Sequence, residues 1–128
     1  MLRLALAGEP RFAIDERELA PGASGYTVDM LHSLRKEFAD SAFVLLLGAD
    51  QHAKLQTWHR WQELGKLARI AVFTRPGFSP SGTENRIEMK PLDISASDIR
   101  ARLKRGESVQ GLVPPAVAAY IAGHGLYR

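Results

Sequence analysis

Three short stretches of this chain carry residue types and spacings that suit a phosphorylated, ring-bearing ligand. The segment Ser95-Ala96-Ser97-Asp98-Ile99-Arg100 reads as the opening turn of a helix, with Ser95 and Asp98 spaced as a capping box. Such a turn also offers unpaired backbone N–H groups and the positive end of the helix dipole, and both attract anions. The Ser97 hydroxyl adds a donor, and Arg100 adds a fixed positive charge. A cation in the first turn opposes the dipole, so it needs another reason to be there. A bound phosphate supplies one.

The second stretch, Gly48-Ala49-Asp50, directly follows the apolar run Ala42-Phe43-Val44-Leu45-Leu46-Leu47. In open α/β sheets ligands bind beyond the carboxyl ends of the strands. There Gly48 would let a ligand approach the backbone, and Asp50 would accept hydrogen bonds from ribose hydroxyls. An ordinary strand end with Asp50 capping the next helix fits equally well. In the third stretch, Trp58 and Trp61 stand three residues apart. Tryptophans so spaced are more often core than platform, but Trp58, nearer the Gly48–Asp50 turn, is the one placed to stack on a heteroaromatic ring. The 4 histidines, His32, His52, His59 and His124, lack metal-ligand spacing. The chain contains no Walker loop, G-x-G-x-x-G or G-x-S-x-G.

Positioning these stretches requires alternating strands and helices. Met30, Leu31, Leu34 and Phe38 follow helical spacing over Asp29 to Phe38, with Thr27 as the cap. The run from Ala42 to Leu47 suits a strand buried on both faces, as in a parallel sheet between helices. Trp58, Trp61, Leu64 and Leu67 continue at helical spacing, and Arg69 to Phe73 reads as a second buried strand. Thr74 to Asn85 is a Gly-, Pro- and Ser-rich loop, and Ile87 and Met89 alternate in a short strand. A helix from Ser95 to about Arg105 stops at Gly106. Pro114 and Pro115 open a last helix, with Val117, Tyr120 and Ile121 on one face and Gly123 at its end. The expected class is α/β.

At 128 residues and 45% hydrophobic, the composition fits one domain over residues 1–128 that buries roughly two-thirds of its unfolded surface. The absence of cysteine excludes disulfides, thiolate metal sites and a cysteine nucleophile. No apolar run approaches a membrane span, and the opening heptapeptide is too short for a signal core, so a cytoplasmic protein without membrane contact is expected. The net charge of +3 is spread along the chain. Even the densest group, Arg100, Arg102, Lys104 and Arg105, reads as a solvated helix face plus a small anion site. Nucleic acid is not an expected partner.

Taken in order, Gly25-Tyr26-Thr27-Val28-Asp29, Leu47-Gly48-Ala49-Asp50, Thr57-Trp58-His59-Arg60-Trp61, Thr74-Arg75-Pro76-Gly77 and Ile94-Ser95-Ala96-Ser97-Asp98-Ile99-Arg100 resemble bacterial nicotinate-nucleotide adenylyltransferases. The ending from Leu112-Val113-Pro114 through Tyr120-Ile121 to His124-Gly125-Leu126-Tyr127 is similar to that family's C-terminus, so the resemblance spans essentially the whole chain. It implies a Rossmann-like nucleotidyltransferase sheet flanked by helices. The implied reaction is nicotinate mononucleotide plus ATP, with Mg2+, giving nicotinate adenine dinucleotide and pyrophosphate, a step of NAD synthesis. By motif, Ser95, Ser97 and Arg100 would hold the ATP phosphates, with Arg75 near the triphosphate. Gly48 and Asp50 would face adenosine, while Tyr26, Thr27, Trp58 and the backbone at His59 would receive the nicotinate end.

Two small departures are Ser97, where the family often has Thr, and His59, where Tyr is common. A larger one is that the family's G-x-F-D-P-x-H-x-G-H segment, whose histidines contact the triphosphate, has no counterpart here. The resemblance begins at Met1, within a family helix. The expectation is therefore a C-terminal portion with N-terminal strands missing and with exposed apolar sheet edges, the longer gene product carrying the activity. The alternatives are a non-catalytic adenine-nucleotide-binding or interaction module, and an adenylyltransferase with another acceptor such as nicotinamide mononucleotide.

Overall fold

Apolar runs and helix-stopping residues account for the order of elements along the chain. The computed structural model describes residues 1–73, 86–88 and 94–127. They form α1 (Leu2–Ala5), α2 (Thr27–Glu37), β1 (Val44–Gly48), α3 (Ala49–His52), α4 (Trp61–Leu67), β2 (Arg69–Phe73), β3 (Arg86–Ile87), α5 (Ala96–Lys104) and α6 (Pro115–Gly123). Met89 and the expected loop from Thr74 to Asn85, Arg75 included, lie outside the described residues. The chain divides into two compact units, Glu16–Pro91 and Met1–Asp15 with Leu92–Arg128.

In the Glu16–Pro91 unit the described sheet is parallel, in the order β1-β2-β3, with Val44 opposite Arg69 and Gly48 opposite Phe73. Parallel neighbours need a crossover, and α3 and α4 supply it between β1 and β2. Side chains alternate across a strand, so Leu45 and Leu47 share one face. They pack there with Val28 and Leu31 of α2, with Leu55, and with Leu64 and Leu67 of α4. Arg35 fastens the two helices by donating from Nη1 to the Leu67 carbonyl at 2.9 Å. The class is α/β, a parallel sheet flanked by helices, as the sequence implies.

Three expectations need correction in this unit. The first strand is not buried on both faces: Leu47 is buried, but Val44 and Leu46 are 44% and 57% exposed. Helices α2 and α4 cover only the Leu45–Leu47 face, and β1 is an edge of the described sheet. An exposed apolar sheet edge is itself among the features the sequence leads one to expect. The helix expected to include Trp58 begins only at Trp61, because Arg60 takes the left-handed conformation (φ 50°, ψ 38°) and breaks the helical path. Finally, α2 begins at Thr27, with Tyr26 as its N-cap residue and no side-chain cap bond.

The other unit holds α1, α5 and α6. Ser95 opens α5, and Gly106 closes it at φ +71°, a conformation that favours glycine. The Gly106 N–H reaches the Leu103 carbonyl at 3.0 Å and the Glu107 N–H the Arg102 carbonyl at 2.9 Å. Pro114 and Pro115 start α6, which lies against α1. Val117 and Ile121 are buried, but Tyr120 turns outward and stacks on His124 with ring centroids 3.9 Å apart. Among the described residues, no helix is long and apolar enough to cross a membrane.

Candidate functional site

Two chain segments that precede helices form the first candidate feature, wholly within the Glu16–Pro91 unit. Gly25 takes φ +71° and turns the chain into α2. Ser24 secures that entry: its Oγ accepts the Tyr26 N–H at 3.2 Å and donates to Asp29 Oδ2 at 2.7 Å. Thr27, expected to cap the helix, is already helical. The second segment is a 3-10 turn, Leu55–Thr57, that runs into an extended Trp58. Thr57 Oγ1 donates to the Lys54 carbonyl at 2.8 Å and tightens that turn.

Trp58 and Trp61 are both half-buried against the core, so exposure does not separate them. What does separate them is the cavity. Gly25, Tyr26, Thr27, Thr57, Trp58 and His59 line a space of about 340 Å³. The His59 ring stacks on Tyr26 at 4.3 Å between centroids and 25° between planes. Tyr26, Thr27, Trp58 and His59, picked out from separate motifs, are thus brought together. Aromatic walls with a few polar groups suit a flat heteroaromatic ring. Thr57 is an addition that its place beside Trp58 in the motif could have signalled.

A polar cluster adjoins this cavity, and sequence reasoning missed it. Arg60 donates from Nε to Glu63 Oε1 at 2.8 Å and from Nη2 to Glu63 Oε2 at 2.7 Å. Its Nη1 reaches Asp29 Oδ1 at 3.2 Å. His32 Nε2 lies 3.1 Å from Glu63 Oε2. Hydrogen bonding to Arg60 first, and to His32 second, pulls the Glu63 carboxyl from 4.5 down to about 2. Arg60 and Glu63 stand i,i+3 apart and give a local hint. Asp29 and His32 lie about 30 residues upstream, where no local pattern links them.

Gly48 ends β1 and is the N-cap residue of α3, while Asp50 sits half-buried in the first turn of that helix. Asp50 is therefore not the cap. Both residues stand at the carboxyl end of the parallel sheet, the expected ligand-binding end. Neither lines the ring cavity.

The turn from Ser95 to Arg100, expected to bind an anion, belongs to the other unit. Ser95 Oγ accepts the Asp98 N–H at 3.0 Å, one half of the capping box. The other half does not form, because Asp98 Oδ2 accepts from Arg102 Nε at 2.8 Å one helical turn on. Arg105 is likewise engaged, donating to both carboxylate oxygens of Glu107. Arg100 differs. Among the described residues it is joined to no carboxylate, and its Nη2 reaches back to Ser97 Oγ over 3.4 Å. Ser95, Ser97 and Arg100 therefore share one helical turn. Arg75 lies outside the described residues. Among the described residues, no group of three or more His, Asp or Glu side chains is placed to hold a metal.

Comparison with known proteins connects these features. A family described as cytidylyltransferase-like matches residues 1–102. A "probable nicotinate-nucleotide adenylyltransferase" of Laribacter hongkongensis is 44% identical over 100% of this chain and 70% of its own length. The chain belongs to the nicotinate-nucleotide adenylyltransferase family. Members named in the same way from Chromobacterium violaceum and Bordetella petrii are 40% and 43% identical, again over all of this chain and over 72% and 71% of theirs. Two structures of Plasmodium falciparum nicotinic acid mononucleotide adenylyltransferase, complexed with APC and with NaAD, superpose with a TM-score of 0.66 at 20% identity. They cover 80% of this chain and 58% and 57% of their own, and at that identity they bear on the fold alone. The chain thus spans about 70% of the curated family members it matches and less than two-thirds of the solved ones.

Proposed function

We infer that the protein transfers the adenylyl group of ATP to nicotinate mononucleotide. The observation that carries this reading is the 44% identity to a named nicotinate-nucleotide adenylyltransferase along the entire chain. A phosphate oxygen of the mononucleotide attacks the α-phosphorus of ATP. The bond to the β-phosphate breaks, and pyrophosphate leaves as the dinucleotide forms. Nothing covalent is required of the protein. Its contribution is to position the reactants and to stabilise charge on the transferring phosphoryl group.

In this reading the cavity bounded by Tyr26, Thr27, Trp58 and His59 receives the nicotinate ring. Gly48 and Asp50 face the adenosine part at the carboxyl end of the sheet. Ser95, Ser97 and Arg100 hold the ATP phosphates, and Arg75 assists near the triphosphate. The first-turn N–H groups of α5 other than that of Asp98, and an Arg100 guanidinium that meets no carboxylate among the described residues, support that assignment. In this reading Mg2+ enters with ATP as part of the substrate. The cavity's aromatic walls favour a flat pyridine without distinguishing an acid from an amide. Comparing kcat/KM for nicotinate and nicotinamide mononucleotides tests the acceptor. The acid is expected to be preferred, and a clear amide preference would overturn that assignment.

A further inference from the structure

The two walls of the ring cavity come from segments about 30 residues apart, whose rings meet in the Tyr26–His59 stack while α2 and α4 pack together behind them. One guanidinium links the polar groups on the two sides of that stack. Arg60 immediately follows His59 and holds a left-handed backbone that a non-glycine residue adopts only under constraint. Its planar fork meets both oxygens of Glu63 on α4, and its remaining terminal nitrogen meets Asp29 on α2. Asp29 accepts through its other oxygen from Ser24, and Ser24 accepts the N–H of Tyr26. A continuous chain of hydrogen bonds thus runs from the residue beside His59 to the backbone of Tyr26, the two residues whose rings stack. The guanidinium offers a rigid set of donors at fixed angles, which suits it to holding such a geometry.

We propose that Arg60 is a positioning residue of the ring cavity, tying Asp29 and Ser24 on one wall to Glu63 beside the other, and that it governs affinity for the pyridine mononucleotide but not for ATP. The inference rests on the reading of this cavity as the nicotinate site. Misplacing a binding wall by a fraction of an ångström to an ångström costs up to about a hundredfold where orientation matters. The contacts here are partly exposed and therefore weaker.

The test is steady-state kinetics on the full-length protein with Arg60→Gly, which keeps the left-handed backbone accessible while deleting the clamp. The KM for the mononucleotide is expected to rise about tenfold, with the KM for ATP unchanged within about twofold. Asp29→Asn, which keeps the shape but removes the charge, is expected to shift the same KM in the same direction by less. It also provides the measurement if the glycine variant fails to fold. Arg60→Lys is expected to recover part of the loss. If the wild-type protein adenylylates neither pyridine mononucleotide, the reading of the cavity fails. If it does so, but Arg60→Gly and Asp29→Asn leave the mononucleotide KM unchanged or raise both substrates' KM alike, the assignment of Arg60 fails by itself.

Discussion

Replacing Arg100 with alanine would remove a cation in the opening turn of α5 that is joined to no carboxylate among the described residues. Its bond to Ser97 Oγ is long, 3.4 Å, so little is lost within the free protein when the guanidinium goes. The cost should fall on the ligand instead. A hydrogen bond between charged partners is worth about 1.5–3 kcal/mol, and about 1.4 kcal/mol corresponds to a tenfold change in rate. Arg100→Ala should therefore lower kcat/KM for ATP at least about tenfold. The internal control is Arg105→Ala, near the other end of the same helix. That guanidinium is already committed to Glu107 through two hydrogen bonds, so its loss should be nearly neutral for ATP. The assay is initial velocity against ATP concentration at saturating mononucleotide, with thermal melting to verify that both variants fold. Equal, small effects of the two substitutions would mean that this turn is scaffold and that the triphosphate lies elsewhere.

Trp58→Ala should act on the other substrate, raising the KM for the mononucleotide about tenfold while leaving that for ATP within about twofold, since its ring lines the cavity beside Tyr26 and His59. Kinetics with each substrate varied in turn would show this. Gly106→Ala should destabilise the protein by about 1–2 kcal/mol, because φ is +71° there while the space around the position is open, leaving backbone strain as the cause. Urea denaturation at constant m-value would measure it. Glu63 titrates at about 2 in the folded protein against 4.5 ordinarily, so its contribution to stability is complete above pH 4.5 and is lost as pH falls toward 2. Melting temperatures of wild type and Glu63→Gln should accordingly converge as the solution is acidified through that window, and parallel curves would count against the clamp.

What could be read from the sequence was local. The apolar runs located β1 and β2 to within about two residues, and the stop at Gly106 and the proline start of α6 were visible as residue types. An apolar run reveals that a strand is covered but not on how many faces, which is why the exposure of Val44 and Leu46 was missed. The helical spacing of Trp58, Trp61 and Leu64 passes through Arg60 without a sign of the left-handed turn, because arginine gives no hint of that conformation. Thr27 looked like a cap by residue type, yet it is the first helical residue, with Tyr26 at the cap position. The candidate site divides along the same line. Ser95 to Arg100 is one helical turn and could be recognised as such. The clamp from Arg60 to Asp29 and His32 joins positions about 30 residues apart and needed the fold to reveal it.

The central claim is adenylyl transfer from ATP to a pyridine mononucleotide, and its most direct test is the stoichiometry of pyrophosphate release. The full-length protein, given ATP with Mg2+ and nicotinate mononucleotide, should release one pyrophosphate for each nicotinate adenine dinucleotide formed. Release should cease when the mononucleotide is omitted. Binding of ATP with no mononucleotide-dependent pyrophosphate would contradict the account and leave a nucleotide-binding module in its place.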